Sequence, residues 1–131
     1  MRASYILLSC LLVASCLWTS CSSPRETLHL NVSLRNDTTI PLDWVKLQWD
    51  GPFVPGGILS PGTEKTSVGV LAPKSDFATI SFVEDSSRKP HKITLDVSPL
   101  KALHAGKYDA VIAITALDRA SLSVSAEPTA P

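Results

Sequence analysis

Three cysteines, Cys10, Cys16 and Cys21, are the only thiols in the 131-residue chain. A thiolate can attack carbon, ligate a metal or close a disulfide. Residues 22–131 contain no cysteine, so the region after Cys21 has neither a thiol nucleophile nor an internal disulfide. The histidines, His29, His91 and His104, show no metal-ligand spacing, and no zinc set can be assembled from them. Glu84-Asp85 and Asp96 read as turn and strand-face carboxylates rather than an acid–base pair. No serine has a nucleophile-elbow context, and no glycine loop has a phosphate-binding pattern. With no acid, base, nucleophile or metal set, the expectation is a protein that is not an enzyme: catalytic residues none, metal none, cofactors none.

Two aromatic positions carry the remaining chemistry. Trp44 and Trp49 are five residues apart, so one regular strand places them on opposite faces. If Trp49 enters the core, Trp44 points outward beside Lys46 and Gln48, where an indole can stack on a sugar ring or a peptide. Phe53 lies in the segment 50–62, DGPFVPGGILSPG, which holds four of the six glycines and three of the ten prolines. That composition predicts a long loop, with Ile58 and Leu59 able to start a short strand. Trp44 and Phe53 are therefore the candidate ligand contacts. The basic cluster 86–92, SSRKPHK, reads as a solvated hairpin turn. The sequons Asn31-Val32-Ser33 and Asn36-Asp37-Thr38 read as strand and turn residues.

The first residues state an address. Arg2 is the only charge before Arg25, and residues 5–18 are almost wholly apolar or small. A bilayer-spanning helix needs ~20 apolar residues, so this run has the proportions of an export signal. Small residues then lead into cysteine twice, at Val13-Ala14-Ser15-Cys16 and at Trp18-Thr19-Ser20-Cys21. This resembles the lipobox of bacterial lipoprotein precursors. The resemblance implies that cleavage makes the cysteine the new amino terminus and that its thiol carries diacylglycerol. Cys16 has the better aliphatic residue three places before it. Cys21 has the longer apolar run, a polar tether directly after it, and no spare thiol behind it. Cys21 is the preferred lipidation site and Cys16 the alternative. An ordinary cleaved secretory signal is the plainer reading of the same residues.

From Thr27 onward the pattern has period two. Leu28, Leu30, Val32 and Leu34 alternate with polar residues, and so do Val45, Leu47 and Trp49. Similar stretches follow at 68–70, 78–82, 93–97, 108–114 and 122–124, with one short helical piece near 99–104. About seven short strands separated by turn residues predict an all-β fold, an antiparallel β-sandwich. The stretch Leu100, Leu103, Gly106 and Tyr108 leading into a strand resembles the tyrosine corner of immunoglobulin-like and fibronectin type III domains. That resemblance implies an immunoglobulin-like sandwich, with a jelly roll or small barrel as alternatives.

The expected organisation is a signal peptide at 1–20, a lipidated cysteine and tether at 21–26, a sandwich at 27–125 and a tail at 126–131. Net charge is zero, with no basic stripe, so no nucleic-acid partner is expected. The expected partners are a membrane, reached through the lipid, and an envelope protein or glycan. The expected location is the bacterial cell envelope, at the periplasmic face of the outer membrane. The functional expectation is a non-catalytic binding or structural module. The alternatives are a carbohydrate-binding or inhibitory domain, or a component of an envelope secretion complex.

Overall fold

A computed structural model describes residues 28–51 and 53–127. The chain order is β1 (Leu28–Asn36), β2 (Leu42–Gln48), β3 (Phe53–Leu59), β4 (Glu64–Val70), β5 (Phe77–Glu84), β6 (Pro90–Asp96), α1 (Ser98–Lys101), β7 (Gly106–Ala116) and β8 (Arg119–Ala126). The expectation of about seven strands is thus one short. The added strand is β3, which occupies the segment expected to be a loop. Pro55 has no N–H to offer a ladder, and it is tolerated because β3 is an edge strand. Gly56 is needed there for space: a Cβ on it would lie 3.0 Å from Val45 and 3.1 Å from Leu34. Expected strand positions 45–49, 68–70, 78–82, 93–97, 108–114 and 122–124 all fall in or next to strands. β8 runs to Ala126, one residue into the expected tail.

The strands form two four-stranded sheets, ordered β4-β1-β7-β8 and β3-β2-β5-β6. They pack face to face as a sandwich. Five of the six strand pairs are antiparallel, and β1–β7 is parallel. The expectation of a wholly antiparallel fold fails at that pair. Period-two patterning specifies which face a residue takes and not which strand runs beside it.

Alternation fills the core. In β1, Leu30, Val32 and Leu34 are fully buried between half-exposed neighbours. They meet Leu42, Val45 and Leu47 of β2, Ile80 and Phe82 of β5, and Ile112 and Ile114 of β7. The short helix α1 lies in the β6–β7 connection, where Val97 and Leu100 are fully buried and close one end of the core. Just before it, the Asp96 carboxylate accepts the Ser98 N–H at 2.9 Å.

Among the described residues, Asn36 is the one buried polar side chain. Its amide donates to the carbonyls of Ile40 (2.8 Å) and Leu59 (2.9 Å). Its oxygen accepts from the N–H and the hydroxyl of Thr38, at 2.9 and 2.6 Å. The end of β1, the β1–β2 connection and the end of β3 are joined through this one side chain. No helix among the described residues is long and apolar enough to cross a membrane.

Candidate functional site

The β2–β3 and β4–β5 connections lie at one pole of the sandwich, on the side where β3 and β4 face each other across the two sheets. Trp49, at the end of β2, turns inward and is only 6% exposed. Its indole Nε1 donates to the carbonyl of Leu71 at 3.1 Å, which ties the end of β2 to the segment following β4. Asp50 follows in a left-handed conformation, φ 50°, and Gly51 has φ 97°. The Asp50 carboxylate accepts the hydroxyl of Ser75 and the backbone N–H of Lys74. The Ser75 bond first, and the Lys74 N–H second, hold the Asp50 carboxyl below the ordinary carboxylate range.

These two ties leave a crevice of about 440 Å³, walled by Trp49, Phe53, Val54, Val70 and Leu71, with Lys74 at its margin. Its size falls within the range of small-ligand sites, and its walls are mostly apolar. Phe53 stands at the mouth, and Lys46 Nζ lies 5.1 Å from its ring centroid, a cation–π approach. Of the polar groups that line it, Asp50, Ser67 and Lys74, the Asp50 carboxylate is committed to holding the β4–β5 loop. No nucleophile and base converge here. Among the described residues, no group of three or more His, Cys, Asp or Glu could hold a metal ion. The crevice can receive an apolar group.

Trp44 points outward, as the spacing from Trp49 implies, and is 69% exposed. It lies in an irregularity of the β2 pairing between Leu42 and Val45, with φ 53°. The Asp43 carboxylate accepts the Trp44 N–H at 2.8 Å and the Arg88 guanidinium at 3.0 Å. The indole borders a shallow depression with Val83, Pro90, His91 and Lys92. Trp44 and Phe53 share the outer face of their sheet. However, Gln48, not Trp44, is the β2 partner of Phe53. A four-residue step along a strand plus one interstrand spacing separates the two aromatics by about 14 Å. They do not form one platform.

The cluster 86–92 spans the β5–β6 hairpin turn and the first residues of β6, and two of its basic side chains are paired. Arg88 pairs with Asp43, and His91 Nε2 meets Glu84 at 3.1 Å while stacking on Phe82. The His91 bond, then the Ser87 hydroxyl, hold the Glu84 carboxyl low. Tyr108 lies at the start of the penultimate strand, close over Gly106. Among the described residues its hydroxyl makes no hydrogen bond to the preceding connection, so that part of the tyrosine-corner resemblance is missing. Cys16 and Cys21 lie outside the described residues.

The residues missed from sequence are Ser67, Leu71, Ala72 and Lys74, which complete the crevice. The stretch 71–76, LAPKSD, has no periodicity to mark it, and its importance comes only from the bonds to Trp49 and Asp50. The chain matches no protein-family model and no curated protein. Among solved structures it is similar to an NMR structure of a protein from Eubacterium rectale, with 15% identity over 76% of this chain and 90% of that chain and a TM-score of 0.46. Nothing about function follows from a likeness at that level.

Proposed function

We propose that this chain is a lipid-anchored, non-catalytic binding module of a bacterial cell envelope, attached through Cys21 at the periplasmic face of the outer membrane. The observation that carries the reading is the chain's start: an apolar run, Trp18-Thr19-Ser20-Cys21, a polar tether, and then a domain with no thiol of its own. Single acyl chains hold proteins only reversibly, whereas a diacylated and amino-acylated cysteine satisfies the need for more than one chain. The crevice beside Trp49 and Phe53 supports the binding role, because it is apolar, well formed and free of converging catalytic groups.

Metabolic incorporation of an alkyne-tagged fatty acid tests the anchor. The wild-type chain is expected to take up label, Cys21→Ser to lose it, and Cys16→Ser to keep it. An unlabelled wild-type chain ends the proposal, and loss of label only in Cys16→Ser moves the anchor to Cys16.

A glycan-binding alternative rests on the exposure of Trp44. It requires Trp44 fluorescence to respond to an added polysaccharide and the response to vanish in Trp44→Ser. Within the sandwich class, an immunoglobulin-like subtype draws support from Trp49 in the core and from the placement of Tyr108. Against it, the first strand here pairs with β4 and β7, whereas the immunoglobulin arrangement pairs the first strand with the second.

A further inference from the structure

We infer that the pole of the sandwich bearing Phe53, Leu71 and Phe77 rests on the lipid bilayer, with these side chains entering the boundary between headgroups and acyl chains. The inference deepens the anchored reading and rests on it.

Strand directions place the three residues at one end. Leu30 of β1 pairs with Val70 of β4, so the start of β1 lies beside the end of β4 and the Leu71 that follows it. Gln48 at the end of β2 pairs with Phe53 at the start of β3 and with Thr79 near the start of β5. Phe77 lies two residues nearer that end. Three of the six large apolar side chains that are exposed in the described residues gather there: Phe53 at 55%, Leu71 at 76% and Phe77 at 60%. Leu28, where the described chain begins, enters the fold at this same pole.

Tether length then decides which end can face the membrane. From Cys21 to Leu28 there are seven Cα steps, at most about 25 Å of extended chain. β1 is a nine-residue strand, so the opposite pole lies about 30 Å further away. A domain held through Cys21 cannot stand on the opposite pole, because its tether would fall short. Attached through Cys16, the tether reaches about 43 Å and that restriction disappears.

The contact is apolar rather than electrostatic. Among the described residues the cations at this pole are Lys46, which lies over Phe53, Lys74, Lys101 and Lys107, and they are matched by Asp50, Asp76, Asp96 and Glu127, with Lys101 paired to Asp76 at 3.1 Å. Burial of the side chains in the interface, and not attraction to anionic lipid, supplies the driving force, so the contact persists at high salt.

The test uses the lipidated chain, verified by mass spectrometry, in vesicles of phosphatidylethanolamine and phosphatidylglycerol with or without acyl-chain bromination. Leu71→Trp and Phe77→Trp each place an indole at the pole, and Ile58→Trp places one at the far end of β3; all three sites are mostly exposed. Relative to wild type, the emission added at 71 and at 77 is expected to fall at least about twofold on bromination, because interfacial side chains sit ~5–10 Å into the headgroup boundary. The emission added at 58 is expected to stay constant. Two pole variants keep the test decisive if one misfolds. Unquenched emission at both pole sites in a lipidated chain, or equal quenching at 58, overturns the inference and leaves the anchor standing. An unmodified cysteine in the mass spectrum overturns the anchor itself, and the tether argument with it.

Discussion

Replacing Asn36 by alanine removes four hydrogen bonds from a site with no exposure to water. Ile40 O keeps a partner, since the Thr38 hydroxyl also reaches it at 3.1 Å. The Leu59 carbonyl and the Thr38 N–H lose the partners that Asn36 gave them. A buried polar group without a partner costs ~1–3 kcal/mol, so two such groups give a loss of about 3 kcal/mol. For a domain of this size, 1 kcal/mol moves Tm by ~4–8 °C, which predicts a fall of about 12–24 °C. Asn36→Asp is expected to be at least as damaging at neutral pH, because it turns a carboxylate toward two carbonyl oxygens in a dry site. Asn31→Ala is the matched control: its amide bonds Asp109 at 3.1 Å in an exposed setting, and a shift of ~4 °C or less is expected. Thermal unfolding followed by circular dichroism reads all three. If Asn36→Ala melted within about 3 °C of wild type, Asn36 would not be the junction described here. The same geometry means that the folded domain cannot carry a glycan on Asn36, despite its sequon, because both amide hydrogens are already donated inside the core.

Two further substitutions test other parts of the fold. Gly56→Ala drives a methyl group to 3.0 Å from Val45 and 3.1 Å from Leu34, and urea unfolding should show a loss of about 1–3 kcal/mol from overpacking. Asp50→Asn tests the β4–β5 tie. The native carboxyl is held below its ordinary value, so it stabilises the fold above its unfolded pKa of ~3.9, and that stability is lost as pH falls through the lower folded value. The urea midpoint of wild type should therefore drop more between pH 7 and pH 3 than that of Asp50→Asn, and parallel profiles would refute the tie.

Much of the fold is legible in the chain because one face of the central strands is dry. Leu30-Val32-Leu34 alternate with polar residues and are fully buried, and Ala110, Ile112 and Ile114, within a continuous apolar run, are fully buried too. β3 is not legible, since Pro55-Gly56-Gly57 carries every mark of a turn. Its proline is harmless on an edge, and Gly56 is demanded by the approach of Val45, a constraint that exists only once the sheets have met. The parallel neighbour of β1 is equally hidden, since alternation says nothing about partners. At the candidate site, the outward turn of Trp44 and the inward turn of Trp49 follow from an odd spacing. The crevice does not, because residues 71–75 are placed by bonds to Trp49 and Asp50 and not by any pattern of their own. Asn36 was readable as a turn former, and its burial was not.

β1 has a mechanical consequence. It is paired on both sides, and its ladder with β7 runs in register from Leu28 to Asn36. A pull applied from the amino-terminal side is directed along the axis of β1. Its interstrand bonds are then loaded together in shear rather than peeled apart one at a time. Drag or jostling transmitted through the leading segment would thus meet the fold at the strand best placed to resist extraction.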